Sequence, residues 1–126
     1  MSEPSLYELG GGRAGMHRLA SAFYERVFED AVLRPFFRDV GDPHAERLAL
    51  WLTELLGGPA EHTEVRGGYA VMIGAHHNLR IPEEARERWA QLMRNACADV
   101  GMSAAFVERF RPFIDGGSTL AMRHSF

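Results

Sequence analysis

His76 stands at the end of an apolar run, in the stretch Tyr-Ala-Val-Met-Ile-Gly-Ala-His-His-Asn-Leu-Arg-Ile-Pro from Tyr69 to Pro82. A neutral imidazole among apolar neighbours is a good ligand for iron carried by a hydrophobic cofactor. Its other reading is a surface histidine in a loop. Upstream lie Phe23-Tyr24, Phe36-Phe37, and a segment in which His44, Leu48 and Trp51 share one helical face; Trp89 lies downstream. Together these residues suit the two faces of an apolar pocket with polar atoms at chosen points.

Each of them also has a plainer reading. Tyr24 lies on the apolar side of its helix, where a phenol ordinarily bonds a backbone carbonyl; in a metal pocket it donates to the metal's ligand instead. The indole N–H of Trp89 can only donate, so Trp89 suits the same role or plain packing. His44 is either an exposed polar residue of a first helical turn or a group that gates the pocket, donates to the ligand or binds the metal itself. Arg47 and Arg66 are solvated charges or partners for acidic groups on a cofactor, Arg47 being the better placed beside His44. The stripe Phe23, Phe36, Phe37, Leu48, Met72, Leu79, Ile81 and Met93 lines a planar cofactor or forms ordinary core.

The elements that must position these groups read as helices. Met16, Leu19, Ala20, Phe23, Tyr24, Val27 and Phe28 keep one helical face, after a break at Gly10-Gly11-Gly12. Asp42 is placed to cap the next helix with Pro43 at its first position, and Gly57-Gly58-Pro59 stops it. A polar loop is expected over residues 60–68, then the short segment leading to His76. Pro82-Glu83-Glu84 opens a helix whose buried face includes Ala85, Trp89, Leu92, Met93, Ala96 and Cys97. Ser103 caps the last helix; Pro112 predicts a kink or break there, and Gly116-Gly117 weakens its continuation. No segment alternates with period two, so the expectation is an all-α fold.

Composition narrows the function classes. The 126 residues fit one domain over 1–126, with one core and one cofactor. A net charge of −3 argues against nucleic acid or an anionic membrane as partner. No apolar run approaches the roughly 20 residues of a bilayer span. The opening Met-Ser-Glu-Pro-Ser does not read as a secretory leader, so a cytoplasmic location is expected. A single cysteine, Cys97, permits neither an internal disulfide nor the Cys-x-x-Cys-His of covalent haem attachment. His-Glu-x-x-His, Walker, Gly-x-Ser-x-Gly and dinucleotide motifs are all absent.

Taken in order, Tyr7-Glu8-Leu9-Gly10-Gly11, Phe23-Tyr24, Leu33-Arg34-Pro35-Phe36-Phe37, His44-Ala45-Glu46-Arg47-Leu48 through Leu56-Gly57-Gly58-Pro59, Arg66-Gly67, and His76 with Ile81 and Trp89 resemble the truncated haemoglobins. These are short two-over-two helical globins, and the likeness is strongest to their second group. The resemblance implies a globin-like two-over-two helical sandwich of four main helices in antiparallel pairs, binding haem b (iron protoporphyrin IX) non-covalently. It implies His76 rather than His77 as the proximal iron ligand. Tyr24, Phe37, His44, Leu48, Trp51, Leu52 and Trp89 would lie toward the bound ligand, with Tyr24, Trp89 and His44 as its donors. Arg47 and Arg66 would meet the propionates, and the stripe above would line the porphyrin. Phe37 stands where many relatives carry a tyrosine, His44 where many carry a small residue, and His62 where tyrosine is frequent.

The implied function is binding of dioxygen, carbon monoxide, nitric oxide or similar diatomics. Three donors around the ligand suit redox chemistry better than oxygen delivery. Nitric oxide dioxygenation or peroxidase-like turnover would need an external reductase. Two alternatives stand beside it: a haem-based sensor or redox relay in which His44 is a displaceable iron ligand, and a cofactor-free helical interaction domain. Monomer and homodimer both fit.

Overall fold

The computed structural model describes residues 3–37 and 42–126. Among them are seven α-helices and one 3-10 turn, with no strand: α1 Leu6–Leu9, α2 Gly12–Glu29, the 3-10 turn Arg34–Phe36, α3 His44–Leu55, α4 Glu61–Arg66, α5 Tyr69–Gly74, α6 Glu83–Asp99 and α7 Ala104–Arg123. None of these helices is long and apolar enough to cross a membrane.

The break at Gly10-Gly11 separates α1 from α2, as its composition predicts. The two backbones also touch there: a Cβ at Gly15 would meet the Gly10 carbonyl oxygen at 1.8 Å, so only glycine fits. Helix α2 then buries the predicted stripe, Met16, Leu19, Ala20, Phe23 and Val27. It packs on α3 and α6, and α6 packs on α7. Their shared core adds Met93, Ala96, Cys97, Phe106, Phe110 and Ile114, all at most 1% exposed. Each large apolar side chain buried there contributes about 1.5–3 kcal/mol before entropy is counted. Asp30 ties the end of α2 to this core. It accepts from the backbone of Val32 and Leu33 and from Arg88 Nε of α6 at 2.7 Å.

Four expectations need correction. Asp42 does not cap α3; Pro43 occupies the capping position, and the Asp42 carboxylate turns to His44 and Arg47 instead. The expected loop 60–68 contains α4, because Glu54 of α3 accepts from both the amide and the hydroxyl of Thr63 at 2.8 and 2.7 Å. Glu61 and Glu64 in its first turn suit the helix dipole. Helix α7 runs through Pro112 without a break, held on either side by buried Phe110 and Ile114. It also continues past Gly116-Gly117 to Arg123. Ser103 does cap it, its Oγ accepting from the Phe106 amide at 3.1 Å.

Candidate functional site

A cavity of about 600 Å³ opens between the helices, within the usual range for small-molecule and cofactor sites. Its wall is built mainly from apolar side chains. Helix α3 presents Leu48, Trp51 and Leu52, one face of a helix at steps of three and one. Phe36 and Phe37 come from the 3-10 turn and the residue after it, Met72 from α5, Leu79 and Ile81 from the loop before α6. Helix α7 contributes Phe110, Phe113, Ile114 and the pair Gly116-Gly117.

His76 borders this cavity from the turn after α5. Its Nδ1 lies 2.8 Å from the Met72 carbonyl oxygen. A carbonyl only accepts, so Nδ1 carries the proton and Nε2 keeps its lone pair. Burial pushes the imidazole pKa below its ordinary value, against the smaller opposing effect of the Met72 bond. The ring is therefore neutral at pH 7, the state a metal requires. His77 is exposed and takes no part in the wall.

Tyr24 and His44 meet at another part of the same wall. Their rings stack at 5.6 Å with 27° between planes, and Phe37 meets both edge-on at 5.4 and 5.2 Å. Burial raises the Tyr24 pKa far above its ordinary value, so the phenol stays protonated and can donate. His44 Nδ1 lies 2.7 Å from Asp42 Oδ2, while Arg47 Nη1 donates to Asp42 Oδ1 at 2.7 Å. His44 is thus a half-buried, anchored ring rather than the exposed residue of the plainer reading. Trp89 joins the wall from α6.

Three residues named from the sequence lie off the wall. Phe23 is fully buried behind it, with ring contacts to Tyr24 at 5.1 Å and Trp89 at 5.2 Å. It supports the wall rather than facing the cavity. Met93, one turn beyond Trp89, is likewise fully buried in the helical core. Arg66 ends α4 away from the cavity, leaving Arg47 as the one of the two arginines that borders it.

Other wall residues do not stand out as pocket residues in the sequence. Arg86 borders the cavity, its Nε and Nη2 donating to Glu83 Oε1 at 2.8 and 2.6 Å. Its position three residues before Trp89 on one helix is the signal that could have found it. His62 shows in the sequence only as a departure from relatives. It is 4% exposed, edge-on to Trp51 at 5.2 Å, and its Nδ1 has no hydrogen-bond partner within the protein. The glycines of α7 signal a weak helix in the sequence but not a cavity wall.

Comparison with known proteins agrees with the helical fold. The family model described as bacterial-like globin matches residues 5–117. The group 2 truncated hemoglobin YjbI of Bacillus subtilis is 30% identical over 113 residues, covering 90% of this chain and 82% of the relative. Among solved structures, a thermostable hemoglobin from the actinobacterium Thermobifida fusca superposes with a TM-score of 0.83 at 33% identity, covering 94% of this chain and 97% of that one. The group II truncated hemoglobin of Bacillus anthracis superposes at 0.88 with 25% identity, covering 96% and 92%.

Proposed function

The chain belongs to the bacterial-like globin family, as a group II truncated haemoglobin of two-over-two fold, and we propose that it binds haem b through His76 and takes up diatomic gases there. Haem-based gas binding is the activity this family supports. One observation carries the finer reading. His76 sits in the wall of the large apolar cavity with Nδ1 committed to the Met72 carbonyl, which leaves Nε2 as a neutral ligand. A carbonyl bonded to the far ring nitrogen fixes the tautomer and strengthens the donor nitrogen.

The other wall residues fit the group. Haem is flat and apolar with two acidic side chains. A Cβ added at Gly116 or Gly117 would meet nothing within 4 Å, so α7 offers a bare stretch where a flat group can lie close. Arg47 and Arg86 bring positive charge to the wall, and the unpartnered Nδ1 of buried His62 calls for a polar partner from the cavity. These three groups suit the propionates; Phe36, Phe37, Leu48, Leu52, Met72, Leu79 and Ile81 suit the porphyrin faces.

When bound, haem supplies an iron that holds a diatomic ligand and exchanges electrons. The protein's part is to donate hydrogen bonds toward that ligand and to exclude water. The Tyr24 phenol stays protonated, and the Trp89 indole can only donate. Fixed donors in an apolar pocket stabilise charge that develops on the ligand. Such a site favours redox turnover of dioxygen with nitric oxide, or of peroxide, over oxygen delivery. The electrons would come from a separate reductase.

A second reading, the sensor or relay, is favoured by the anchoring of His44 on Asp42 in the same wall. Absorption spectra of the purified protein in ferric, ferrous and CO-bound forms test both. A five-coordinate, high-spin ferrous spectrum supports the open gas site. A six-coordinate, low-spin ferrous spectrum supports His44 as a displaceable ligand, and no hemin uptake at all rejects both.

A further inference from the structure

The turn that holds His76 is closed by its own backbone bonds as far as Leu79, whose amide donates to the His76 carbonyl at 3.2 Å, but not beyond. Between His76 and α6, Asn78 and Arg80 both adopt left-handed backbone, at φ of 67° and 51°. Asparagine visits that region readily, but arginine is strained there, and its conformation persists where surrounding structure over-determines it. The constraint comes from the far end of the chain. Ser125, just beyond α7, is wholly buried. Its carbonyl oxygen accepts from the Arg80 amide at 2.8 Å, and its Oγ accepts from the Ile81 amide at 2.9 Å. The same hydroxyl donates to the Met122 carbonyl at 2.6 Å, which anchors it to the last turn of α7. One serine therefore takes two successive amides of the loop.

We propose that Ser125 is a positioning residue for the iron-binding segment. By clasping Arg80 and Ile81 it sets the left-handed path from Asn78 to Ile81, and so the placement of His76 and of the wall residues Leu79 and Ile81. This role rests on His76 being the haem ligand. The geometry explains why a serine serves. The hydroxyl must accept from one backbone group while donating to another, and its small side chain must fit a closed site. Alanine at 125 would keep the carbonyl bond to Arg80 and lose only the Oγ bridge between Ile81 and Met122.

The test compares native protein, Ser125→Ala and Ser125→Thr, in two arms. In the cofactor-free protein, amide exchange at Ile81 is expected to quicken about fivefold or more in Ser125→Ala, with core amides of α2 unchanged and the hydroxyl-bearing Thr variant nearer native. In the hemin-loaded protein, the iron–histidine stretching band in the ferrous resonance Raman spectrum is expected to shift or broaden in the Ala variant. Hemin transfer to an excess of a scavenging apoglobin should also quicken severalfold, again with recovery in Thr. Unchanged Ile81 exchange in Ser125→Ala would overturn the clasp. Faster exchange with a native iron–histidine band would overturn its link to His76. Native protein that takes up no hemin would refute the haem reading and this proposal with it, while the exchange arm still reports the clasp separately.

Discussion

The helix α2 and the segment Tyr69–Arg80 both contribute to the cavity wall, yet they are built on opposite terms. Helix α2 buries Met16, Leu19, Ala20, Phe23 and Val27 completely, and Tyr24 stands on a helix whose neighbouring face is already core. No residue from Tyr69 through Arg80 is buried, and Tyr69, Val71 and Leu79 are exposed apolar side chains. One side of the pocket is held in place by protein–protein packing. The other holds the key imidazole with the Met72 carbonyl, the backbone bonds of its own turn and the long-range Ser125 clasp. Apolar surface left open by Tyr69 and Leu79, which border the cavity, is what a bound cofactor would cover. One cavity thus combines a wall packed into the core with a segment left largely open to solvent.

Deleting the support of the rigid side should give the largest effect. Phe23→Ala removes a fully buried ring behind both Tyr24 and Trp89, and should cost about 3–5 kcal/mol in chemical denaturation of the cofactor-free protein. Val71→Ala, on the open side, should change it by less than about 0.5 kcal/mol. Equal costs would mean the two sides do not differ as described. Next in size, His76→Ala should weaken hemin retention by more than about a hundredfold, beyond the usual loss for a group behind a metal ligand. His77→Ala, exposed on the same turn, should leave it within about twofold. Comparable retention in the two variants would reject the assignment of the ligand.

Tyr24→Phe tests the ligand-facing side without disturbing its packing. Loss of the phenol donor should speed dioxygen release about tenfold or more in stopped-flow displacement, with little change in hemin retention. An unchanged release rate would assign the phenol a packing role only. The smallest effect concerns pH. Burial, opposed by Glu54 and aided by Arg47 and Arg66, holds the His62 pKa below its ordinary 6.5. The unfolded chain therefore takes up the proton more readily. Stability from this group is complete above about pH 6.5 and is lost as pH falls toward the lower folded value. Denaturation of the cofactor-free protein at about pH 7.5 and about pH 5.5 should show this decline, and His62→Phe should flatten it. An identical decline in the variant would remove His62 as a contributor.

Much of the fold was legible because its signals are local. The α2 stripe recurs at helical spacing, Gly10-Gly11 breaks the chain, and Ser103 caps α7 within three residues of the amide it accepts from. The misreadings at α4 and α7 fall where tertiary contact overrode a local cue. Glu54 turns a polar loop into α4, and packing carries α7 through Pro112. The same division holds at the site. Wall residues on the α3 face came from spacing, whereas Phe23 and Met93 share the apolar character of wall residues and differ only in which way the helices turn them.

Residue order alone dictates that the chain is helical, near which residues α2, α3, α6 and α7 begin, and that His76, Tyr24, Trp89 and His44 are its chemically distinctive groups. Periodicity and capping act over a few residues, so sequence carries them directly. Long-range packing instead sets which of those groups border one cavity, and brings Ser125 back to Arg80 and Ile81. Those relations join residues far apart in the chain or depend on the rotation of one helix against another, and neither quantity leaves a mark in local sequence.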